Sequence, residues 1–234
     1  MVVLISILTP SLSNAQEAAR RTRCASNIRQ IGLAVQSYAY ENKNTIPPLL
    51  HETMPASGTA TASRNPGRSE NGMGEWTNDS MYARWASGSR SMATSPSGTY
   101  EGLGILVRRE YLSHSGALYC PSHQGRHPYS AYVNQWKNGN GTIAVNYHYR
   151  TPPEFRYFSD MDSRTSFVAD GMETRSDYSH VEGNNFLRAD LAVLWYRDLE
   201  GKVLSTLPDD DEFAMSQGRR GWSIFDTVVE RNVR

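Results

Sequence analysis

The hydrophobic positions near the start of the chain recur at the spacing of an α-helix. Cys24, Ile28, Ile31, Val35 and Tyr38 follow one another at steps of four, three, four and three residues, which places them on one face of a helix. The polar residues between them fall on the opposite face: Arg20, Arg23, Asn27, Gln30 and Gln36. The pattern therefore predicts an amphipathic helix whose packing face carries Ile28, Ile31, Val35 and Tyr38.

The ends of this helix are marked by residues with special backbone roles. Ser13 and Gln16 have the spacing of a capping box, which predicts an N-terminal cap at Ser13 while the helical pattern itself continues without a break. Asn42, Asn44 and the pair Pro47-Pro48 predict its end, because proline disfavours helical backbone in the preceding residue.

The residues ahead of this helix are apolar but few. Residues 1–8 are uncharged and hydrophobic and Pro10 follows, whereas a bilayer span needs about 20 apolar residues. One interpretation is a short secretory signal with a cleavage site at residues 13–15, although no positive residues precede it. The other, which we favour, is the end of a longer hydrophobic helix that begins upstream of Met1.

The remainder of the chain alternates between loop and strand patterns. Residues 51–99 are rich in Ser, Gly, Thr, Asn and Pro and lack a period, so they predict a long flexible loop over about residues 55–99. Trp76 and Trp85 are expected to anchor parts of it. Residues 102–122 predict a short helix, a turn and an extended segment into Cys120. Strands are predicted at residues 145–149, 155–158, 165–169, 185–189 and 192–196.

Charge and cysteine content narrow the range of partners. Lys plus Arg and Asp plus Glu each number 24, so no net field favours nucleic acid, and none is expected as a partner. The two cysteines, Cys24 and Cys120, can form one long-range disulfide in an oxidising compartment but cannot make a zinc site by themselves.

G-x-S-x-G, HExxH and P-loop motifs do not occur in the sequence, and we expect no enzymatic activity.

Several of these segments together resemble a known family. LTPSL at residues 8–12, EAARR at 17–21, Cys24, NIRQIGLA at 27–34 and the later proline pair agree in order and spacing with the "LLPSL", "AREAARR", "C", "NLKQIGLA" and "PP" elements of one class. That class is the type IV pilin-like, or pseudopilin-like, proteins marked by a C-terminal H-x9-DG signature. Residues 102–122 match its "GLG", "YL" and "YCPS" elements as well.

The resemblance implies an architecture and a role. It implies an α+β fold in which a long N-terminal α-helix, residues 1–45, packs on a mainly antiparallel β-sheet head, residues 46–234. The implied function is that of a structural subunit anchored in the inner membrane, with its head in the periplasm or at the cell surface. Implied partners are other pilin-like subunits and the secretion or pilus assembly machinery. The glycine, phenylalanine and glutamate of that family's prepilin peptidase site do not precede Met1, so we expect the natural start to lie upstream.

The signature itself is present in altered form. His180 stands ten residues before Asp190, as in H-x9-D, and with Asn185 they define the predicted signature hairpin. The family has glycine after that aspartate, where Leu191 stands here. Because a β-carbon in left-handed backbone costs roughly 1–2 kcal/mol, we expect a turn of another type. If Cys120 lies near the base of the long helix, it can form a disulfide with Cys24.

Three other chemistries compete with a purely structural role. His180 with Asp170, Asp177 and Asp190 supplies metal-ligand types, which would suit a metal-dependent hydrolase, although a histidine that ties a loop to the hairpin is the simpler interpretation. Trp76 and Trp85 are suited to a carbohydrate-binding or adhesin module. The acidic run at Asp209, Asp210 and Asp211 offers oxygen ligands for calcium, although a solvated loop is the default. We expect no other cofactor.

Overall fold

The computed structural model describes residues 2–49, 78–84, 100–125, 127–151, 157–180, 182–207, 209 and 219–228, with the side chains of the first helix described from Leu12 onwards. That helix, α1, spans Val2–Glu41 and has 40 residues, which corresponds to a rod of about 60 Å. The predicted stripe is its buried face: Cys24, Ile28, Ile31 and Val35 are 0 % exposed and Tyr38 is 6 % exposed. The predicted end of the helix at Asn42 is confirmed.

One antiparallel sheet forms the centre of the head. Its five strands lie in the sequential order β1 to β5, and each pairs with the next in antiparallel orientation. The strands are β1 (Asn78–Arg84), β2 (Ile143–Thr151), β3 (Ser166–Asp170), β4 (Gly183–Arg188) and β5 (Val193–Arg197). The α+β fold with a long helix on an antiparallel sheet is therefore confirmed.

Helices cover both faces of this sheet. The helix α1 contacts β3, β4 and β5, and its stripe joins Val168 and Leu187 in the larger core cluster. On the other face, Ala169 and Phe186 pack with Trp222 and Phe225 of α4 (Arg219–Thr227). Neighbouring residues of one strand point to opposite faces, which explains why β3 and β4 contribute to both clusters. Two further helices are α2 (Leu103–Arg108) and α3 (Tyr129–Asn138).

A glycine permits the close approach of α1 to the sheet. A β-carbon built on Gly32 would lie 2.6 Å from Cδ2 of Leu187 in β4, a separation that packed atoms do not adopt. The absence of a side chain at this position therefore lets the helix backbone contact the strand directly.

Several local predictions were wrong. Residues 78–84 form β1 within the predicted loop, because Met81 and Ala83 alternate into the core. Ser13 lies inside α1 rather than at its cap, and Asn27, expected on the polar face, is buried. Its side chain donates to Tyr147 Oη at 3.1 Å. Phe158 begins a 3-10 turn instead of ending a strand. Trp76, Trp85 and the rest of the predicted loop before residue 100 lie outside the described residues.

The turn between β4 and β5 also differs from expectation. Leu191 adopts φ 62°, so the chain keeps a left-handed position where the related family has glycine, and the expected change of turn type does not occur. Asp190 stabilises the turn, because its Oδ1 accepts the Ala192 N–H at 3.0 Å.

The left-handed backbone at Leu191 predicts that glycine at this position gives a more stable fold than alanine does. Leu191→Ala and Leu191→Gly both remove the side chain, but only glycine relieves the left-handed backbone. We expect Leu191→Gly to exceed Leu191→Ala by about 1 kcal/mol in free energy of unfolding, measured by urea denaturation. If the alanine variant is the more stable of the two, as in ordinary strands, the turn is not left-handed at this residue.

Candidate functional site

The base of α1 is joined to the head by a buried cysteine pair. Cys24 on α1 and Cys120, directly after the 3-10 turn Ser115–Leu118, form a disulfide with their Cα atoms 5.4 Å apart. Cys24 is 0 % and Cys120 is 5 % exposed. The structure therefore contains the disulfide that the sequence left as a possibility.

The signature histidine lies against this disulfide. His180 is 2 % exposed, and its Nδ1 lies 2.6 Å from Glu17 Oε1 of α1. A proton on Nδ1 donates to this carboxylate, so in the neutral ring the lone pair is on Nε2. Nε2 lies 3.5 Å from Cys120 Sγ and 3.6 Å from Asp170 Oδ2. The histidine thus connects the long helix, the cysteine pair and the end of β3.

Asp170 completes the group of buried polar side chains. Its Oδ2 accepts the Asn185 N–H at 2.6 Å and the Asn185 amide at 2.9 Å, whereas its Oδ1 has no hydrogen-bond partner among the described residues. Complete burial raises the pKa of this carboxyl, although the charge of His180 and the two bonds from Asn185 act in the opposite direction. Asn185, predicted as a signature residue, therefore acts by fixing Asp170.

Glu17 fastens the outer side of the group. Partial burial disfavours its ionised form, but hydrogen bonds from His180, Arg20 and Ser122 outweigh that effect and lower the pKa of this carboxyl. Ser122 Oγ lies 3.0 and 2.9 Å from its two oxygens. Nearby, the Arg21 guanidinium lies 4.4 Å from the centre of the Trp195 ring, and that ring meets His180 edge-on at 5.7 Å between centroids.

The aspartate of the signature lies elsewhere. Asp190 forms an ion pair with Arg188 in the β4–β5 turn, while His180 precedes β4, so the six residues of that strand separate them by about 20 Å. The structure therefore does not bring Asp190 to His180, as the alternative of a shared metal site would require. Asp177 is also engaged separately, because its Oδ2 accepts the Thr174 N–H and hydroxyl in a capping box.

The Asp190 turn predicts a specific dependence of stability on pH. Partial burial opposes ionisation, but bonds from Arg188 and Ala192 outweigh it and lower the pKa below its ordinary 3.8. A carboxyl with a lowered pKa in the folded state stabilises the fold above its ordinary pKa, and this contribution is lost as the pH falls through the folded value. Asp190→Asn should thus destabilise by on the order of 1 kcal/mol at neutral pH and by little at the acidic end, measured by thermal unfolding. An equal loss at both pH values would contradict this.

The calcium candidates do not form a described group. Asp209 lies 3.3 Å from the Arg175 guanidinium in an exposed ion pair, and Asp210 and Asp211 lie outside the described residues. Across the described ranges, one set of four potential ligands converges within a few ångströms: Cys24, Cys120, Asp170 and His180. Its members come from four separate segments, so no local spacing in the sequence brings them together.

The fold and this buried group define an α+β protein in which a long N-terminal helix is fastened to an antiparallel sheet. A family model described as a protein of unknown function, DUF1559, matches residues 13–183. The chain therefore belongs to the DUF1559 family, which is associated with H-x9-DG pilin-like proteins. The match contains Glu17 and all four members of the buried group. Searches of curated proteins and of solved structures found no match.

Within the described ranges, none of the helices combines the length and the apolar character that crossing a bilayer requires.

Proposed function

We propose that this protein is a non-enzymatic pilin-like or pseudopilin-like structural subunit, held at the inner membrane and assembled into a filament through the front of α1. Its head would lie in the periplasm or at the cell surface. The assembly would serve secretion or surface attachment. The observation that carries the proposal is the division of one continuous helix into a packed rear and a projecting front.

The rear of α1 is fixed to the head. Its apolar stripe is buried from Cys24 to Tyr38, and the disulfide ties it covalently to the segment after α2. Gly32 adds direct contact with β4. A force applied along the helix would therefore be carried into the sheet rather than detach the two, as a subunit drawn into a filament requires.

The front of α1 has the opposite character. Residues 12–16 are exposed, and Leu12 is 60 % exposed. The 15 residues of α1 from Val2 to Gln16 extend for about 22 Å, and the sequence of residues 2–8 is apolar. An apolar helical segment that extends beyond these exposed residues would gain from burial against a bilayer or against neighbouring helices. Other pilin-like subunits and their assembly machinery are the proposed partners.

A structural role also suits the buried group better than catalysis. The thiols are joined in a disulfide and His180 is 2 % exposed, whereas a catalytic nucleophile and base need access to substrate. The carbohydrate-binding alternative depends on Trp76 and Trp85, which lie outside the described residues. No observation of the described part of the chain favours either alternative.

The experiment is fractionation of the protein expressed from its natural gene, tagged at the 3′ end, in its own host. We expect it in the membrane fraction and in material sheared from the cell surface. The protein should resist extraction by alkaline carbonate, because the proposed anchor is hydrophobic rather than electrostatic. A wholly soluble, monomeric product would overturn the proposal.

A further inference from the structure

The buried group at the base of α1 contains more ligand chemistry than a disulfide needs. One ligand atom from each of Cys24, Cys120, Asp170 and His180 lies within 4.8 Å of the other three. All four side chains are buried. A disulfide is covalent and nearly apolar, so it gains little from an adjacent imidazole and a carboxylate that are both removed from water.

We propose that, when its two cysteines are reduced, the chain binds one zinc ion through Cys24, Cys120, His180 and Asp170. Two thiolates, an imidazole and a carboxylate are ligand types that zinc accepts in tetrahedral sites. Zinc bonds of about 2.0–2.3 Å place tetrahedral ligand atoms about 3.3–3.8 Å apart. The observed separations require only small side-chain movements to reach that geometry.

Two features of the site point to a cation independently of the cysteines. Asp170 Oδ1 is buried without a hydrogen-bond partner among the described residues, and a metal would supply one. The 2.6 Å contact between His180 Nδ1 and Glu17 directs the free lone pair of Nε2 toward Cys120 and Asp170. A carboxylate that orients a ligating histidine through its other nitrogen is the usual outer arrangement of zinc sites.

The charges of the site are also compatible with zinc. Two thiolates and one carboxylate carry a charge of −3, so a divalent ion leaves a net charge of −1. The Arg21 guanidinium lies over the Trp195 ring, which packs edge-on against His180, and it therefore places a positive charge near the site. Asn185 holds Oδ2 of Asp170, the oxygen 3.6 Å from His180 Nε2, with two hydrogen bonds, which fixes the orientation of the carboxylate beside the other ligands.

The exchange between the two states balances chemically. An external dithiol supplies two electrons and two protons to the Cys24–Cys120 disulfide and becomes a disulfide itself. Zinc then displaces the two thiol protons, which pass to solvent. Either link, the disulfide or the metal, fastens α1 to the loops around β3 and β4. The inference is independent of the proposed assembly function.

The test uses the full chain, reduced with an excess of a phosphine reductant and titrated with Co²⁺ as a spectroscopic substitute for zinc. The expected result is one Co²⁺ per chain with thiolate charge-transfer and tetrahedral d–d bands, all displaced by Zn²⁺. The oxidised chain should show no such bands. We expect His180→Gln, Asp170→Asn and Glu17→Gln each to weaken cobalt binding by at least about tenfold.

Matched controls are available on the surface of the head. His114 and Asp160 are exposed, so His114→Gln and Asp160→Asn should leave the cobalt affinity unchanged. Reduced chain without bands, or bands that persist in both His180→Gln and Asp170→Asn, would overturn the proposal. If reduction or a substitution unfolds the chain, zinc must restore the helical circular dichroism of the reduced wild type, and failure to do so would equally overturn it.

Discussion

Removal of the Cys24–Cys120 disulfide is expected to lower the free energy of unfolding by about 4 kcal/mol. The two cysteines are 96 residues apart, so the crosslink removes a large part of the conformational freedom of the unfolded chain. The variant Cys24→Ser with Cys120→Ser, compared with the wild type by urea denaturation in the presence of a chelator, measures this loss.

A single-site substitution on the surface of the head serves as the control for the double variant. His114→Gln retains the disulfide and changes an exposed side chain, and it should unfold at the urea concentration of the wild type. A loss below 1 kcal/mol in the double variant would show that α1 is held by its apolar stripe alone.

Truncation of the stripe at its centre is expected to have the second-largest effect. Ile31 is 0 % exposed and faces the sheet, whereas Leu33, two residues along the same helix, is 51 % exposed. Ile31→Ala should cost about 2–5 kcal/mol, because it removes buried methyl groups and leaves a cavity. Leu33→Ala should change stability by no more than about 0.5 kcal/mol. Equal losses in thermal or urea unfolding would contradict the packing of this helix face on the sheet.

The sequence predicted the long helix well because its signal is local. The stripe from Cys24 to Tyr38 needs only the helical period, and every member of it is buried. By contrast, β1 lies within a stretch dominated by Ser, Gly and Thr, where the buried pair Met81 and Ala83 is too short a pattern to predict a strand. The helices α3 and α4 were not predicted. They have ten and nine residues, and helices of that length are marginal without tertiary packing, although the three-residue spacing of Trp222 and Phe225 was a local signal for α4.

The site was predictable only in part. His180, Asn185, Cys24 and Cys120 were identified by the resemblance, but their common partner Asp170 was one of several candidates and Glu17 was not considered as a site residue. These residues come from α1, a loop, the end of β3 and β4, and only the fold brings them together. The spacing of His180 and Asp190 matched the family signature, and β4 places the two residues at opposite ends of a strand.

Leu191 illustrates how a local rule can be overridden. Its left-handed backbone, φ 62°, costs about 1–2 kcal/mol for a residue with a β-carbon, so the sequence favoured another turn. The pairing of β4 with β5 and the bond from Ala192 to Asp190 fix the turn instead. Tertiary contacts thus outweigh the preference of a single residue.

Site-specific crosslinking tests most directly the central claim that the front of α1 is an assembly surface while the head is not. Leu12→Cys places a thiol on the projecting front, and Leu199→Cys places one on the head, where the native leucines are 60 % and 74 % exposed. Expressed from the natural gene in its own host and treated with a mild oxidant, Leu12→Cys should give a disulfide-linked dimer on a non-reducing gel, because each chain carries one added thiol, whereas Leu199→Cys should remain monomeric. Monomers from both variants, or equal amounts of dimer from both, would contradict assembly through the helix.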